Sequence, residues 1–200
     1  MPRCIGITGS IGSGKSTVGE ILISQGIPVI DTDRIVHELL SGETATKKAV
    51  LERFGASILT STPDGAIDRA RLGSIVFSDA RARKDLEAII HPAVLLEVRK
   101  RVKTLSAESV VAVLVPLLFE AGIASEFDEV WTVVAQEPVL RQRLRQRDDL
   151  SENEIAKRLS AQMPQQQKAS KSHRIIDNSG SRENTRRQIE TLIAQQRTKP

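Results

Sequence analysis

The segment Gly9-Ser10-Ile11-Gly12-Ser13-Gly14-Lys15-Ser16-Thr17 constrains the fold more than any other part of the chain. It satisfies G-x-x-x-x-G-K-[ST] at every fixed position. Before it, Cys4-Ile5-Gly6-Ile7 is an apolar run of strand length. After it, Val18, Ile21 and Leu22 recur at helical spacing, and Gly26 ends the run. Strand, glycine-rich turn and helix are the context in which this motif binds phosphate.

The residue types explain why. Gly9, Gly12 and Gly14 permit backbone angles that let successive N–H groups point into one concavity. The positive end of the following helix reinforces that field. Lys15 suits the β- and γ-phosphates, the Ser16 hydroxyl suits Mg²⁺, and Thr17 can donate to an α-phosphate. Gly12, Ser13, Gly14, Lys15, Ser16 and Thr17 are therefore expected to bind a nucleoside triphosphate with Mg²⁺. A serine-rich turn with one solvated lysine would leave the agreement of spacing and flanks unexplained.

A chain of 200 residues can form one α/β domain with insertions. It has no apolar stretch long enough to span a membrane. Met1-Pro2-Arg3 runs straight into the first strand, so no signal peptide is expected. The single Cys4 reads as a small buried residue. These features suit a cytoplasmic protein. The net charge of +4 fits either nucleic acid or small polyanionic substrates. Aromatics are confined to Phe54, Phe77, Phe119, Phe127 and Trp131, which argues against a base-stacking surface and so against a nucleic-acid partner.

Four further strands are expected. Ile27-Pro28-Val29-Ile30 leads into Asp31-Thr32-Asp33 and a helix through Ile35, Val36, Leu39 and Leu40 that ends at Gly42. Asp31 or Thr32 can cap that helix. Asp33 would lie at the carboxyl end of a parallel strand, where open α/β sheets bind ligands. There it could accept a hydroxyl proton or help hold Mg²⁺. Val110 to Val115 is uniformly apolar, as a central strand buried on both faces should be. It is followed by Pro116-Leu117-Leu118-Phe119-Glu120, with Glu120 a site candidate. Glu129 to Val134 and His173-Arg174-Ile175-Ile176 complete the set.

Residues 43–105 read as a helical insertion, with a turn at Thr62-Pro63-Asp64-Gly65 and a break at His91-Pro92. A helix carrying Arg141, Arg143, Arg145 and Arg147 follows the fourth strand. Arg143 and Arg147 share a face and could reach over a triphosphate as part of a lid. Asp148-Asp149 ends this run, and Ser151 with Glu154 forms a capping box for the next helix. Pro164-Gln165-Gln166-Gln167-Lys168 reads as polar and mobile, and Arg197-Thr198-Lys199-Pro200 as a frayed tail.

Taken together, these pieces resemble the dephospho-coenzyme A kinase family. The resemblance rests on Ile5-Gly6-Ile7-Thr8-Gly9 with the phosphate loop, Ile30-Asp31-Thr32-Asp33, Phe54-Gly55, Ile67-Asp68-Arg69 with Leu72-Gly73, and Ile90-His91-Pro92. It continues through Pro116–Glu120, Arg143-Leu144 with Arg147-Asp148, Gln162, and Ile176-Asp177-Asn178-Ser179-Gly180.

The resemblance implies a three-layer α/β phosphate-loop NTPase fold with a five-stranded parallel sheet. The core would be 1–42, 106–140 and 169–200, the coenzyme-A-binding insertion about 43–105, and the lid about 141–168. ATP and dephospho-coenzyme A would be the substrates, and the protein a monomer or weak homo-oligomer. Asp33 would be the base toward the ribose 3′-hydroxyl. Lys15 and Arg143 would stabilise the transferring phosphoryl group, supported by Arg147. Asn178 would lie near the adenine, and Asp33, His91, Leu118, Phe119 and Glu120 on the acceptor side. Ser16 and Asp33 would hold Mg²⁺. Many family members carry an Asp where this chain has Leu114, so Asp33, Ser16 and water would carry more of the metal shell. The alternatives are a kinase acting on a nucleoside monophosphate or sugar acid, and a nucleotide switch. No N-K-x-D guanine-reading segment supports the switch.

Overall fold

The computed structural model describes residues 1–60, 65–148 and 150–197. Thr62, Pro63 and Asp64 of the expected turn, Asp149, and the terminal Thr198-Lys199-Pro200 lie outside the described residues. The chain divides into two compact units, Met1–Asp31 with Val102–Pro200, and Thr32–Arg101.

The first unit is built on five parallel strands: β1 (Arg3–Gly9), β2 (Val29–Asp31), β3 (Val110–Leu114), β4 (Glu129–Val134) and β5 (Arg174–Asp177). Their order is β2-β3-β1-β4-β5. Ile7 pairs with Leu114 on one flank and Trp131 on the other, so β1 is central. All five residues of β3 are buried, as expected for a strand covered on both faces.

Side chains alternate across the sheet. Ile5, Ile7, Trp131 and Val133 face a core completed by Val18, Ile21 and Leu22 of α1 (Lys15–Ser24) and by Ile189 and Ile193 of the closing helix Arg182–Arg197. Gly6, Thr8 and Thr132 face the other way. A Cβ on Gly6 would meet Leu118 Cδ1 at 2.7 Å, so glycine is needed for the chain after β3 to lie against β1.

In the second unit, α2 (Thr32–Ser41) and α3 (Ala45–Phe54) precede α4 (Arg69–Ser78) and α5 (Ala80–Thr104), whose last three residues belong to the first unit. Leu40, Val50, Ile58, Ile67 and Leu72 form its core. Thr44 caps α3 by accepting from the Lys47 N–H, and Asp68 caps α4 through Ala70 and Arg71. The division falls at Asp31/Thr32, so α2 groups with α3, α4 and most of α5.

One expected break is absent. Helix α5 runs through His91-Pro92 without interruption. A proline deprives the carbonyl four residues earlier of its partner. Here that residue is Ala88, and both Ala88 and Pro92 are exposed, so water can satisfy the carbonyl.

After β4 come α6 (Glu137–Asp148), α7 (Glu152–Ser160), α8 (Gln165–Lys171) and then, after β5, α9 (Arg182–Arg197). The capping box forms as expected, with Ser151 accepting from the Glu154 N–H and Glu154 accepting from the Ser151 N–H. The stretch expected to be mobile is instead helical. The Gln165 side-chain amide bonds both ways to Ala135, at 3.2 and 2.9 Å, and Lys168 is fully buried. Among the described residues no helix is long and apolar enough to cross a membrane.

Candidate nucleotide-binding site

The phosphate loop leaves β1 at the carboxyl edge of the sheet, where β1 has β3 on one side and β4 on the other. Gly14 starts α1 with φ of 93° and ψ of 33°, a left-handed conformation in which other residues are strained. No side chain caps α1, and its first turn holds no acidic residue. The N-terminal amides and the positive helix end therefore keep an anion-attracting field.

Three side chains brace the loop. Asn178, at the end of β5 and buried, donates from Nδ2 to the Ser13 carbonyl at 2.8 Å and accepts from the Thr185 hydroxyl at 2.8 Å. Arg143 of α6 donates from Nη2 to the Asn178 carbonyl at 2.8 Å, and from Nη1 to the carbonyls of Ser13 at 3.3 Å and Gly12 at 3.4 Å. Gln162 accepts from the Ile11 N–H at 2.9 Å. Lys15 Nζ folds back onto the carbonyls of Gly9 at 2.8 Å and Ser10 at 3.3 Å. That places its cation at the mouth of the loop, where it can exchange these carbonyls for phosphate oxygens.

The other arginines of α6 are occupied differently. Arg141 pairs with Glu137 and Glu152, and Arg145 with Glu152 at 2.6 Å, so Glu152 joins α6 to α7. Arg147 is exposed one turn beyond Arg143. Ser16 is exposed and Thr17 half-buried on the first turn of α1.

At the end of β3, Leu114 packs within 3.0 Å of where a Cβ on Gly19 would lie, and so belongs to the α1 face of the core. Beyond it, Leu118 is fully buried against Gly6 and Phe119 is half-buried. The Glu120 carboxylate is paired with Lys168 at 2.8 Å. Asp33 and His91 belong to the second unit. Asp33 is exposed in the first turn of α2, two residues beyond the end of β2, and His91 is half-buried within α5.

These features match a known family. The family model described as dephospho-CoA kinase matches residues 3–184. The chain belongs to the dephospho-CoA kinase family. A protein named dephospho-CoA kinase from Geobacter sulfurreducens is 44% identical over 192 residues, covering 95% of this chain and 96% of that one. Another of that name from Carboxydothermus hydrogenoformans is 44% identical, covering 94% and 92%. The solved structure of the dephospho-CoA kinase from Campylobacter jejuni is 29% identical with a TM-score of 0.70, covering 98% of this chain and 97% of that one. The expected family and phosphate-loop kinase fold are thus found.

Sequence reasoning did not foresee two parts of this site. Gln162 carried the family resemblance without a role, because a glutamine between helices gives no clue to its partner. Lys168 was read as part of a polar, mobile stretch. The available signal was Pro164, which sits one residue before the first helical position that proline favours.

Proposed function

We propose that this chain transfers the γ-phosphate of ATP to the ribose 3′-hydroxyl of dephospho-coenzyme A, giving coenzyme A and ADP in the last step of coenzyme A synthesis. The observation that carries the reading is the braced phosphate loop in a chain of this family. Ser13 receives Asn178 and Arg143 together, so the loop is held ready before nucleotide arrives.

In this reading the N–H groups of Gly12, Ser13, Gly14, Lys15, Ser16 and Thr17 cradle the phosphates. Lys15 leaves its two carbonyl partners for the β- and γ-phosphates. Arg143, already beside the loop, turns part of its guanidinium toward the transferring group, with Arg147 adding positive charge. Asn178 acts by holding the loop and not by reading the base. Asp33 takes the proton of the attacking hydroxyl. His91 and Phe119 lie on the acceptor side, and Leu118 fixes the loop of Phe119 from within. Segment 141–168 serves as the lid.

Mg²⁺ fits this donor set in the manner usual for nucleotide enzymes. Among the described residues no group of three or more His, Cys, Asp or Glu gathers to hold a metal unaided. The ion would be held by the Ser16 hydroxyl, Asp33, phosphate oxygens and water, and when bound would neutralise charge on the phosphates.

The test is ADP release with ATP and Mg²⁺ across a panel of acceptors. Release that requires dephospho-coenzyme A, with coenzyme A formed in equal amount, is expected. Release only with a nucleoside monophosphate or sugar acid would overturn the acceptor assignment. Nucleotide binding without acceptor-dependent release would overturn the transferase reading.

A further inference from the structure

Three loops at the carboxyl edge of the sheet are tied together by side chains that the transfer chemistry does not use. Lys168 of α8 is fully buried. Its ammonium donates to the Pro116 carbonyl at 3.0 Å and pairs with Glu120 Oε1 at 2.8 Å. The Pro116 carbonyl also accepts the Thr8 hydroxyl at 3.1 Å, one residue before the end of β1. Glu120 Oε1 accepts the Met163 N–H at 2.9 Å. The adjacent Gln162 accepts the Ile11 N–H of the phosphate loop at 2.9 Å. Residues 162–168 therefore grip the phosphate loop with the Gln162 side chain, and the Pro116–Glu120 segment with the Lys168 side chain and the Met163 backbone N–H.

This arrangement is costly if stability alone is at issue. Removing the Lys168 ammonium from water is repaid only when geometry and hydrogen bonds are well matched, and an apolar side chain of similar volume often does as well. What the ionic version adds is a fixed distance between loops. Both loops border the place where phosphate is transferred, and misplacement of about 1 Å there can cost on the order of a hundredfold in rate.

We propose that Gln162, Glu120 and Lys168 form a clasp of positioning residues. It holds the Pro116–Glu120 segment in register with the phosphate loop, and none of the three acts on the nucleotide or the acceptor. Glu120, expected from its position to touch the acceptor, acts through its loop instead. Gln162 lies two residues after α7, so the clasp also fixes the root of the α6–α7 segment. The proposal rests on the transfer reading above.

The experiment measures kcat and KM for ATP and dephospho-coenzyme A in full-length variants, per mole of nucleotide-binding sites, so that a lower folded fraction does not count as lost rate. Gln162→Leu removes the acceptor for Ile11, and Gln162→Glu keeps it. Gln162→Leu is expected to lower kcat by roughly tenfold while KM for dephospho-coenzyme A stays within about twofold. Gln162→Glu is expected to restore most of kcat at saturating ATP.

Lys168→Met and Glu120→Gln should each lower kcat, and the double variant should be no worse than the poorer single, because the pair acts as a unit. Should Lys168→Met fail to fold, the two Gln162 variants decide. Gln162→Leu at wild-type kcat, Gln162→Glu no better than Gln162→Leu, or single losses that multiply in the double variant would overturn the clasp. A wild-type enzyme that forms no coenzyme A would instead overturn the transfer reading.

Discussion

Asn178 Nδ2 lies 2.8 Å from the Ser13 carbonyl oxygen, and a Cβ on Gly14 would collide with that same nitrogen. The loop is thus closed from outside by a side chain that fits only because position 14 has none. Gly14→Ala adds this collision to a φ of 93°. It should abolish nucleotide binding, with calorimetry showing no heat at ATP concentrations that saturate the wild type. Asn178→Ala removes the collision partner and two hydrogen bonds, leaving the Ser13 carbonyl to Arg143 and the Thr185 hydroxyl to the Ser181 carbonyl, at a cost of about 1 kcal/mol for each bond lost. It should weaken ATP binding without abolishing it. Equal affinities in Asn178→Ala and the wild type would show that the brace is dispensable.

Asp33 is exposed at the start of α2, so replacing it should leave the fold intact. If it takes the 3′-hydroxyl proton, Asp33→Asn should lower kcat by roughly a hundredfold or more while ATP affinity changes little. Stopped-flow nucleotide binding beside steady-state turnover separates the two effects. Turnover within a few-fold of wild type would exclude Asp33 as the base.

Glu129 organises the opposite end of the sheet. It is buried, pairs with Arg3 at 2.9 Å, and accepts the Trp131 indole N–H and the Gln196 amide, each at 2.9 Å. Glu129→Ala strands three donors, two of them on buried residues, and breaks an ion pair. The expected loss is roughly 3 kcal/mol of stability, read as a lower denaturant midpoint. Turnover at low temperature should be unchanged, because none of these residues borders the phosphate loop. A variant as stable as wild type would mean that water replaces the carboxylate fully.

The parts of this molecule that were legible in the sequence are those set by local patterning. The uninterrupted apolar run Val110–Val115 announced a buried strand, and Ser151 with Glu154 announced a helix start. The phosphate loop announced both a fold and a ligand. The misread parts depend on what lies far away in sequence. Pro92 interrupts the hydrogen-bond ladder of α5 only where water can compensate, and exposure is not written in the local residues. Lys168 looked like a surface lysine because its partners, Pro116 and Glu120, lie about 50 residues earlier. Asn178 lay in a recognised segment, yet its attachment to Ser13 spans 165 positions and appears only in the folded chain.

Asp79 gives a prediction in pH. It precedes α5, and its Oδ1 accepts the N–H of Arg81 at 2.7 Å and of Ala82 at 3.2 Å, satisfying two otherwise unpaired donors of the first turn. These bonds, Ala82 first and then Arg81, hold its carboxyl below the ordinary value of 3.8. A carboxyl with a lower pKa when folded contributes stability in full above its unfolded value and loses it as pH falls through the folded value. Asp79→Ala should therefore melt at a lower temperature than wild type at pH 7, with the gap closing as pH drops below 3.8. Asp79→Asn keeps the acceptor oxygen without the charge, so it should fall between the two at pH 7 and lack the pH-dependent part. Thermal melts of the three proteins across this range test the assignment. A wild-type advantage that stays constant from pH 7 to well below the carboxyl's titration would mean that the cap does not depend on the ionised form.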